Sequence, residues 1–335
     1  MHINKKSFYL YVYFFILTSI VSYFIANRDV NNVADTMNYA NNFLTKTSLD
    51  FRYELLFDFT TYTIRLFTDS YVVYFFILNF ILNFFILKTS ILFSNIFNLN
   101  KFMFFAFSFC IFVFSSWYYS ASSNGLRQGL ALALCYYSFV GYLIYKSKIR
   151  ALLLFIASCF LHYSNFLIVP FIFLYKISLN KLFLLVNLSG LFYFLGVNEF
   201  LTEKLSSAFS LPIYNEIKNY TEDGISSYRY GFQLDLFLYT MFFVYMYFFC
   251  NKWLIKDNLF FSNIIKLFYI LVFPYFTFGF AGYSNRYGFM AWFFGIFLNC
   301  FIFYVILLKG KRVLFENCFL FLFILSMMFF YYRFV

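Results

Sequence analysis

The chain has 335 residues, of which 63% are apolar, 28% are aromatic and only 12% are charged, and its mean hydropathy is +0.76. Because a soluble domain carries about 25% charged residues, these values exclude an ordinary soluble globule, a disordered chain and a secreted disulfide scaffold. The net charge of +11 lies mostly in short lysine-containing loops between apolar runs, which indicates a membrane-insertion signal and no nucleic-acid partner. We therefore predict an all-α polytopic integral membrane protein.

Ten apolar runs are candidates for membrane crossing, since each full crossing needs roughly 20 residues. In chain order they fall at 7–26, 70–87, 102–118, 127–145, 150–175, 181–197, 232–250, 259–278, 288–308 and 315–332. The run 150–175 is expected to cross twice or to be re-entrant, because His162 opens a polar centre and Pro170 breaks the second half. Residues 1–335 are thus predicted to form a single membrane domain with about 11 passes, some of them short or re-entrant.

Lysine-rich short loops set the predicted sidedness, because positive loops stay in the cytoplasm. These loops are 88–101, 146–150, 176–181, 252–256 and 309–312. The first run is expected to be a retained anchor, with Lys5 and Lys6 holding the N-terminus in the cytoplasm. Two long loops, 27–69 and 198–231, are then predicted to be extracytoplasmic.

The two extracytoplasmic loops differ in pattern. Apolar positions in 54–67 keep helical spacing, which predicts a helix lying at the membrane surface with Asp58 and Arg65 as surface charges. The loop 198–231 is long enough to form a lid or a substrate-reading loop, and it fits a solvated connector equally well.

Nucleotide and metal motifs are absent from the sequence. It contains no G-x-x-x-x-G-K-[ST], no G-x-G-x-x-G and no Asp-x-Asp pair, so a cytoplasmic nucleotide-driven enzyme is a poor candidate. The two histidines and six cysteines show no metal-ligand spacing. We expect no cofactor and no metal.

Polar residues gather instead at the predicted outer boundary of the membrane. The set comprises Arg28, Asp35, Tyr39, Glu54, Asn124, Arg127, Gln128, His162, Arg286 and Tyr287. Arginines at one boundary can grip a pyrophosphate, while Asp35, Glu54 or His162 can take a proton from a sugar hydroxyl. Plainer roles fit the same residues: Arg127 and Arg286 as contacts to lipid phosphates, and Asp35 as a turn residue.

These residues resemble the EpsG family of exopolysaccharide and O-antigen polymerases, the Wzy-type enzymes of bacterial envelopes. Four anchors carry the resemblance: Arg28 with Asp35-Thr36-x-x-Tyr39-x-x-x-Phe43 and Glu54-x-x-Phe57; Ser123-Asn124-Gly125-Leu126-Arg127-Gln128-Gly129-Leu130-Ala131; Ile156-Ala157-x-x-Phe160-x-His162-Tyr163-Ser164 with Pro170; and Arg286-Tyr287. The chain departs from the family pattern at Ala34, where the family often has glycine, and at Leu161, which is inserted before the histidine.

The resemblance implies a metal-independent glycosyltransferase that polymerises undecaprenyl-pyrophosphate-linked oligosaccharide repeat units on the periplasmic face of the bacterial cytoplasmic membrane. The donor pyrophosphate would be bound by Arg127 and Arg286, with Arg28 assisting. Asp35 or Glu54 would be the general base, and His162 either the alternative base or a hydrogen-bonding orienter. The implied partners are the lipid-linked donor and acceptor, membrane lipids and a chain-length regulator.

Three other functions stay open at this point. An O-antigen ligase-type transferase performs the same chemistry on a different acceptor. A flippase or transporter of lipid-linked oligosaccharides is disfavoured, because such proteins tend towards internal repeats and midplane charges, and neither is visible. A membrane acyltransferase using His162 has only that histidine in its support.

Overall fold

A computed structural model describes residues 5–32, 34–210, 214, 231–309, 324, 325 and 328. All the regular elements in these residues are helical, which confirms the predicted all-α class. The chain divides into two compact units, Met1–Asn165 with Asn299–Val335 and Phe166–Leu298, and each is described by itself. The single membrane domain stays a prediction.

Five helices in the described residues are long and apolar enough to cross a membrane. They are Tyr71–Ile96, Leu126–Tyr145, Leu234–Leu254, Leu259–Phe278 and Ser284–Leu307. The number rises to seven if two bent helix pairs, with breaks of 84° and 79°, each count as one span. A multi-span protein is therefore confirmed, whereas the count of about 11 passes and the sidedness stay predictions. Most of the run 315–332 and most of the loop 198–231 lie outside the described residues.

The first unit is built around a central helix pair. Its helices before residue 165 are α1 (Lys5–Ala26), α2 (Ala34–Thr45), α3 (Leu55–Arg65), α4 (Tyr71–Ile96), α5 (Lys101–Phe114), α6 (Ser116–Ser122), α7 (Leu126–Tyr145) and α8 (Lys148–Leu161). Helix α7 packs along both α4 and α8, and α4 packs on α1. Because α7 is buried on most of its surface, its two ends are held in fixed positions.

Short polar side chains mark where these helices begin. Ser70, Asn100, Ser115 and Ser147 each accept a backbone N–H in the first turn of the helix that follows. Such N-caps satisfy donors that have no partner within the helix. These caps explain why a new helix begins after each of these four residues.

The predicted break in 150–175 is present. Helix α8 ends at Leu161, and His162 follows it with an extended backbone at φ −157° and ψ 117°. Two 3₁₀ turns, Tyr163–Ile168 and Phe173–Lys176, then flank the short helix α9 (Val169–Ile172). Whether this stretch crosses the membrane twice stays a prediction.

The second unit uses buried aromatic hydroxyl and indole groups to join its helices. After α9 these are α10 (Leu179–Phe194), α11 (Val197–Ala208), α12 (Leu234–Phe249), α13 (Leu259–Phe278) and α14 (Ser284–Lys309), the last continuing past the unit's end at Leu298. The Tyr247 hydroxyl donates to the Gly295 carbonyl at 2.9 Å, and the Trp292 indole donates to Thr240 at 2.9 Å. Buried Tyr and Trp groups need such partners, so these bonds specify the helix register.

Gly129 on α7 allows α6 to approach at backbone distance. A Cβ added there would lie 2.5 Å from the Ala121 carbonyl oxygen, a distance that real contacts do not tolerate. We predict that Gly129→Ala lowers stability by about 1–3 kcal/mol, because the two helices must separate. The measurement is the melting temperature of the purified protein in detergent.

Gly141 on the same helix is the matched control for this substitution. A Cβ there would meet nothing closer than 3.8 Å, so Gly141→Ala is expected to leave the melting temperature unchanged or slightly raised. Equal melting temperatures for wild type and Gly129→Ala would contradict the close approach of α6 and α7.

Candidate functional site

A buried ion pair shapes the segment between α2 and α3. Lys46 Nζ lies 2.9 Å from Asp58 Oδ1, and neither side chain has any exposed surface. The other carboxylate oxygen of Asp58 accepts the backbone N–H of Tyr53. The prediction of Asp58 as a surface charge is therefore wrong, because the face of α3 that carries it packs over Lys46. Arg65 does lie partly exposed, in an ion pair with Asp69.

Glu54 follows at the end of this segment, as the N-cap residue of α3. Its side chain makes no capping hydrogen bond to that helix. Instead, Oε2 accepts a hydrogen bond from Arg127 Nη1 at 2.6 Å, and Oε1 is paired with His162 Nδ1. With only 5% of the residue exposed, this carboxylate joins the start of α3, the start of α7 and the end of α8.

Aromatic rings enclose the Arg127 guanidinium. Its Cζ lies 4.2 Å from the centre of the Tyr53 ring, 5.6 Å from that of Tyr39 and 6.0 Å from that of Phe57. The Arg127 Nε also donates to the Tyr39 hydroxyl at 3.3 Å. Ring faces attract a cation, so these groups hold the guanidinium plane in place. The side chain keeps 22% of its surface exposed, which leaves it accessible to a ligand.

The loop before α7 connects this cluster to α2. The Asn124 side-chain oxygen accepts the backbone N–H of Asp35 at 3.3 Å, and the Asn124 carbonyl accepts the Tyr39 hydroxyl at 3.4 Å. Burial raises the pKa of Tyr39, with the positive charge of Arg127 opposing it, so this hydroxyl keeps the proton that it donates. Asn124 therefore sets the position of α2 relative to Arg127.

Arg28 is bonded into the scaffold beside the cluster. Its Nη1 donates to the Ile25 carbonyl at 2.6 Å, its Nη2 donates to Thr36 at 3.2 Å, and its Cζ lies 5.0 Å from the Phe75 ring centre. Burial lowers the pKa of Arg28 to about 10, which keeps it charged at neutral pH. The described contacts thus join Arg28 to the end of α1 and to α2.

The charges around Glu54 determine its protonation. Burial alone raises the pKa of the Glu54 carboxyl, but the hydrogen bond and charge of His162 and the charge of Arg127 outweigh burial, and the pKa falls to about 2. An ionised carboxylate of such low pKa is a weak base and a strong hydrogen-bond acceptor. When the imidazole is neutral, a carboxylate that accepts its Nδ1 proton leaves Nε2 as the proton acceptor.

The structure brings together six of the predicted residues: Asp35, Tyr39, Glu54, Asn124, Arg127 and His162. Gln128 follows Arg127 on α7 and is buried. Arg286 and Tyr287 lie in the second unit at the start of α14, where the Arg286 Cζ is 4.3 Å from the Tyr283 ring centre. Their membership of the same site stays a prediction.

Residue patterns alone missed the Lys46–Asp58 pair and the role of Tyr53. Lys46 carries no motif, and it meets Asp58 only once the segment between them has folded back. Tyr53 directly precedes Glu54 in the sequence, and Phe57 follows it three residues later. These aromatic neighbours were the available signal for an aromatic enclosure. Across the described ranges, no group of three or more His, Cys, Asp or Glu residues could hold a metal ion.

Comparison with known proteins gives one match. A family model described as the EpsG family matches residues 11–335, which include all the residues of the cluster. No curated protein and no solved structure matches the chain.

The buried pair predicts an asymmetric response to mutation. Asp58→Asn removes the buried partner of the Lys46 ammonium and leaves it only the exposed carboxylate of Asp50, 3.2 Å away. We expect a loss of about 3 kcal/mol, seen as a lower melting temperature in detergent. The double substitution Lys46→Met with Asp58→Leu removes both charges and is expected to recover most of that loss. If the double variant were as unstable as Asp58→Asn, the buried Lys46 charge would not be the cause of the lost stability.

Glu54 predicts a pH dependence with a definite sign. Its folded-state pKa of about 2 is below its ordinary value of 4.5, so its contribution to stability is complete above about pH 4.5 and is lost as the pH falls towards 2. The difference in melting temperature between wild type and Glu54→Gln should therefore shrink over that acid range. Glu203→Gln, at an exposed carboxyl on α11, is the control. A difference that stayed constant with pH would rule out the ion pairs as its source.

Proposed function

The chain belongs to the EpsG family of polysaccharide polymerases, and on this premise we propose that it joins undecaprenyl-pyrophosphate-linked repeat units into O-antigen or exopolysaccharide on the periplasmic face of the bacterial cytoplasmic membrane. The observation that carries the proposal is the Glu54 carboxylate, which holds Arg127 and His162 in one accessible cluster. A cation and an oriented imidazole are what a transfer between two lipid-linked sugars needs.

Arg127 is assigned to the leaving group. In the transfer, the bond between the donor sugar's C1 and the pyrophosphate oxygen breaks, and negative charge accumulates on undecaprenyl pyrophosphate. Two of the guanidinium's five N–H groups are used on Glu54 and Tyr39, so others can reach a pyrophosphate oxygen. Because an arginine supplies the positive charge, the proposed reaction is metal-independent.

His162 is assigned as the general base. The acceptor's hydroxyl oxygen bonds to C1 while its proton passes to His162 Nε2. Glu54 acts through His162 as a positioning residue, because its own low pKa makes it a poor proton acceptor. Asp35 is the alternative base. It lies at the edge of the cluster, where its backbone N–H donates to Asn124 and its charge raises the pKa of Tyr39 and of Tyr53.

The remaining predicted residues take supporting roles in this proposal. Tyr39 and Asn124 hold Arg127 and α2 in register, and Arg28 fixes the end of α1 against α2. Arg286 and Tyr287 are also proposed to contribute to pyrophosphate binding. The lipid-linked donor and acceptor, membrane lipids and a chain-length regulator are the proposed partners.

The test is a gel of surface polysaccharide from cells that lack the gene and carry either wild type or a variant at equal protein level. We expect Arg127→Ala and His162→Ala to lower polymer formation about a hundredfold or more, which reduces the ladder to a single repeat unit. Lys101→Ala, at an exposed residue at the start of α5, is the control and should leave the ladder intact.

Other patterns on the same gel would contradict the proposal. Full-length polymer in Arg127→Ala cells would show that Arg127 is not needed to bind the pyrophosphate. In cells without the gene, a ladder that persists but fails to reach its final acceptor would indicate a ligase. Loss of even the single repeat unit would indicate a flippase.

A further inference from the structure

The α7–α8 helix pair has a second polar end, opposite the Glu54 cluster. The two helices run antiparallel: Ser138 donates to the Ala151 carbonyl at 2.7 Å near the turn, and Arg127 and His162 meet at Glu54 at the far ends. Arg127 and His162 stand at one end, and the turn from Lys146 to Ser147 stands at the other. At 1.5 Å per residue, α7 is about 30 Å long, the thickness of a bilayer's hydrocarbon core.

An arginine held in a defined orientation stands at this second end. Arg150 Nη2 donates to the Tyr137 hydroxyl at 2.7 Å, and the Arg150 Cζ lies 4.9 Å from the Tyr145 ring centre. These three residues and Gly141 are among those that line a shallow hollow open to the surface. The guanidinium is thus preorganised on an exposed face between α7 and α8.

A second cation comes from α4. Lys88 Nζ lies 5.1 Å from the Tyr11 ring centre and 5.4 Å from that of Phe84. On the same helix, the Phe85 ring centre lies 5.5 Å from that of Tyr137, whose hydroxyl accepts from Arg150. Among the described residues, no carboxylate forms an ion pair with Lys88 or Arg150. Two neighbouring positive charges without a counter-ion make an electrostatic site for an anion.

The surroundings of Arg150 favour an anion that carries hydrocarbon. Ile149 is 75% exposed and Leu153 is 61% exposed, one residue before and three residues after the arginine. Tyr11 and Tyr145 add half-exposed rings of the kind that sit at the level of lipid headgroups. A free phosphate would use the cations alone, whereas a phospholipid would use the cations and the aliphatic surface together.

We propose that Lys88, Arg150 and the Tyr137 hydroxyl bind the phosphate of an anionic phospholipid, whose acyl chains lie along the exposed aliphatic face of α8. The loops 88–101 and 146–150 are predicted to be cytoplasmic, where anionic lipids attract clustered basic residues. This site goes beyond the proposed polymerase reaction, because the opposite end of α7 and α8 carries the residues assigned to that reaction. Its proposed role is to anchor the helix pair at a fixed depth in the membrane.

The test uses the purified full chain, freed of lipid in detergent and titrated with phosphatidylglycerol, with binding followed by native mass spectrometry. We expect Arg150→Gln and Lys88→Gln each to weaken phosphatidylglycerol binding about fivefold, the equivalent of about 1 kcal/mol for one cation. Tyr137→Phe should weaken it by a smaller factor. Lys148→Gln, which removes the same charge from an exposed residue of the same loop, is the matched control and should bind within about twofold of wild type.

Parallel titrations separate the possible sources of the phosphate. Phosphatidylcholine and inorganic phosphate at the same concentrations are expected to bind at least tenfold more weakly than phosphatidylglycerol. Equal binding of inorganic phosphate would overturn the lipid assignment in favour of a free anion. A loss for Lys148→Gln as large as that for Arg150→Gln would overturn the site itself, because diffuse loop charge would then explain binding.

Discussion

The Glu54 carboxylate is the contact on which the rest of the site depends. It is almost fully buried, and that burial is unfavourable unless cations compensate for the lost water. Arg127 and His162 provide that compensation from two other segments. The buried Lys46–Asp58 pair in turn holds the segment that delivers Glu54, and the Asn124 loop holds the start of α7. The fully buried Lys46–Asp58 pair therefore supports the partly exposed Arg127–Glu54 pair, which can keep its geometry when a substrate binds.

The α7–α8 pair gives this arrangement its rigidity and its direction. One end carries a guanidinium and an imidazole held by a shared carboxylate, and the other end carries cations without a described carboxylate. Neutralised charge beside exposed donors suits a reaction site, whereas uncompensated charge beside exposed aliphatic side chains suits lipid. The same antiparallel pair would thus separate the proposed reaction site from the proposed lipid site by about the thickness of the hydrocarbon core.

Apolar run length was enough to predict helices such as Leu126–Tyr145 and Leu259–Phe278, because a buried or lipid-facing helix is apolar all round. The helix Tyr71–Ile96 continues nine residues past the predicted end of its run at 87. His162 was identifiable because a histidine at membrane depth is uncommon and usually functional. Arg127 was identifiable because it lies at the predicted outer boundary and within one of the family motifs. The helix Ala34–Thr45 was missed, since its Asn-rich sequence has weak helical propensity and its stability comes from packing against α3 and α4. The burial of Asp58 also depends on a partner that only tertiary folding supplies. A pattern of residue types along the sequence does not show which distant side chains come into contact in the folded protein.

Glu54 is proposed to act on the reaction through His162. This role is tested most directly by a double-mutant cycle on the initial rate of polymer formation, with purified protein and lipid-linked repeat units. We expect Glu54→Gln to slow polymer formation much less in the His162→Gln background than in wild type, because only the contact with Arg127 then remains for the carboxylate to supply. If the two effects multiplied instead, Glu54 and His162 would contribute independently and the proposed positioning role of the carboxylate would be wrong.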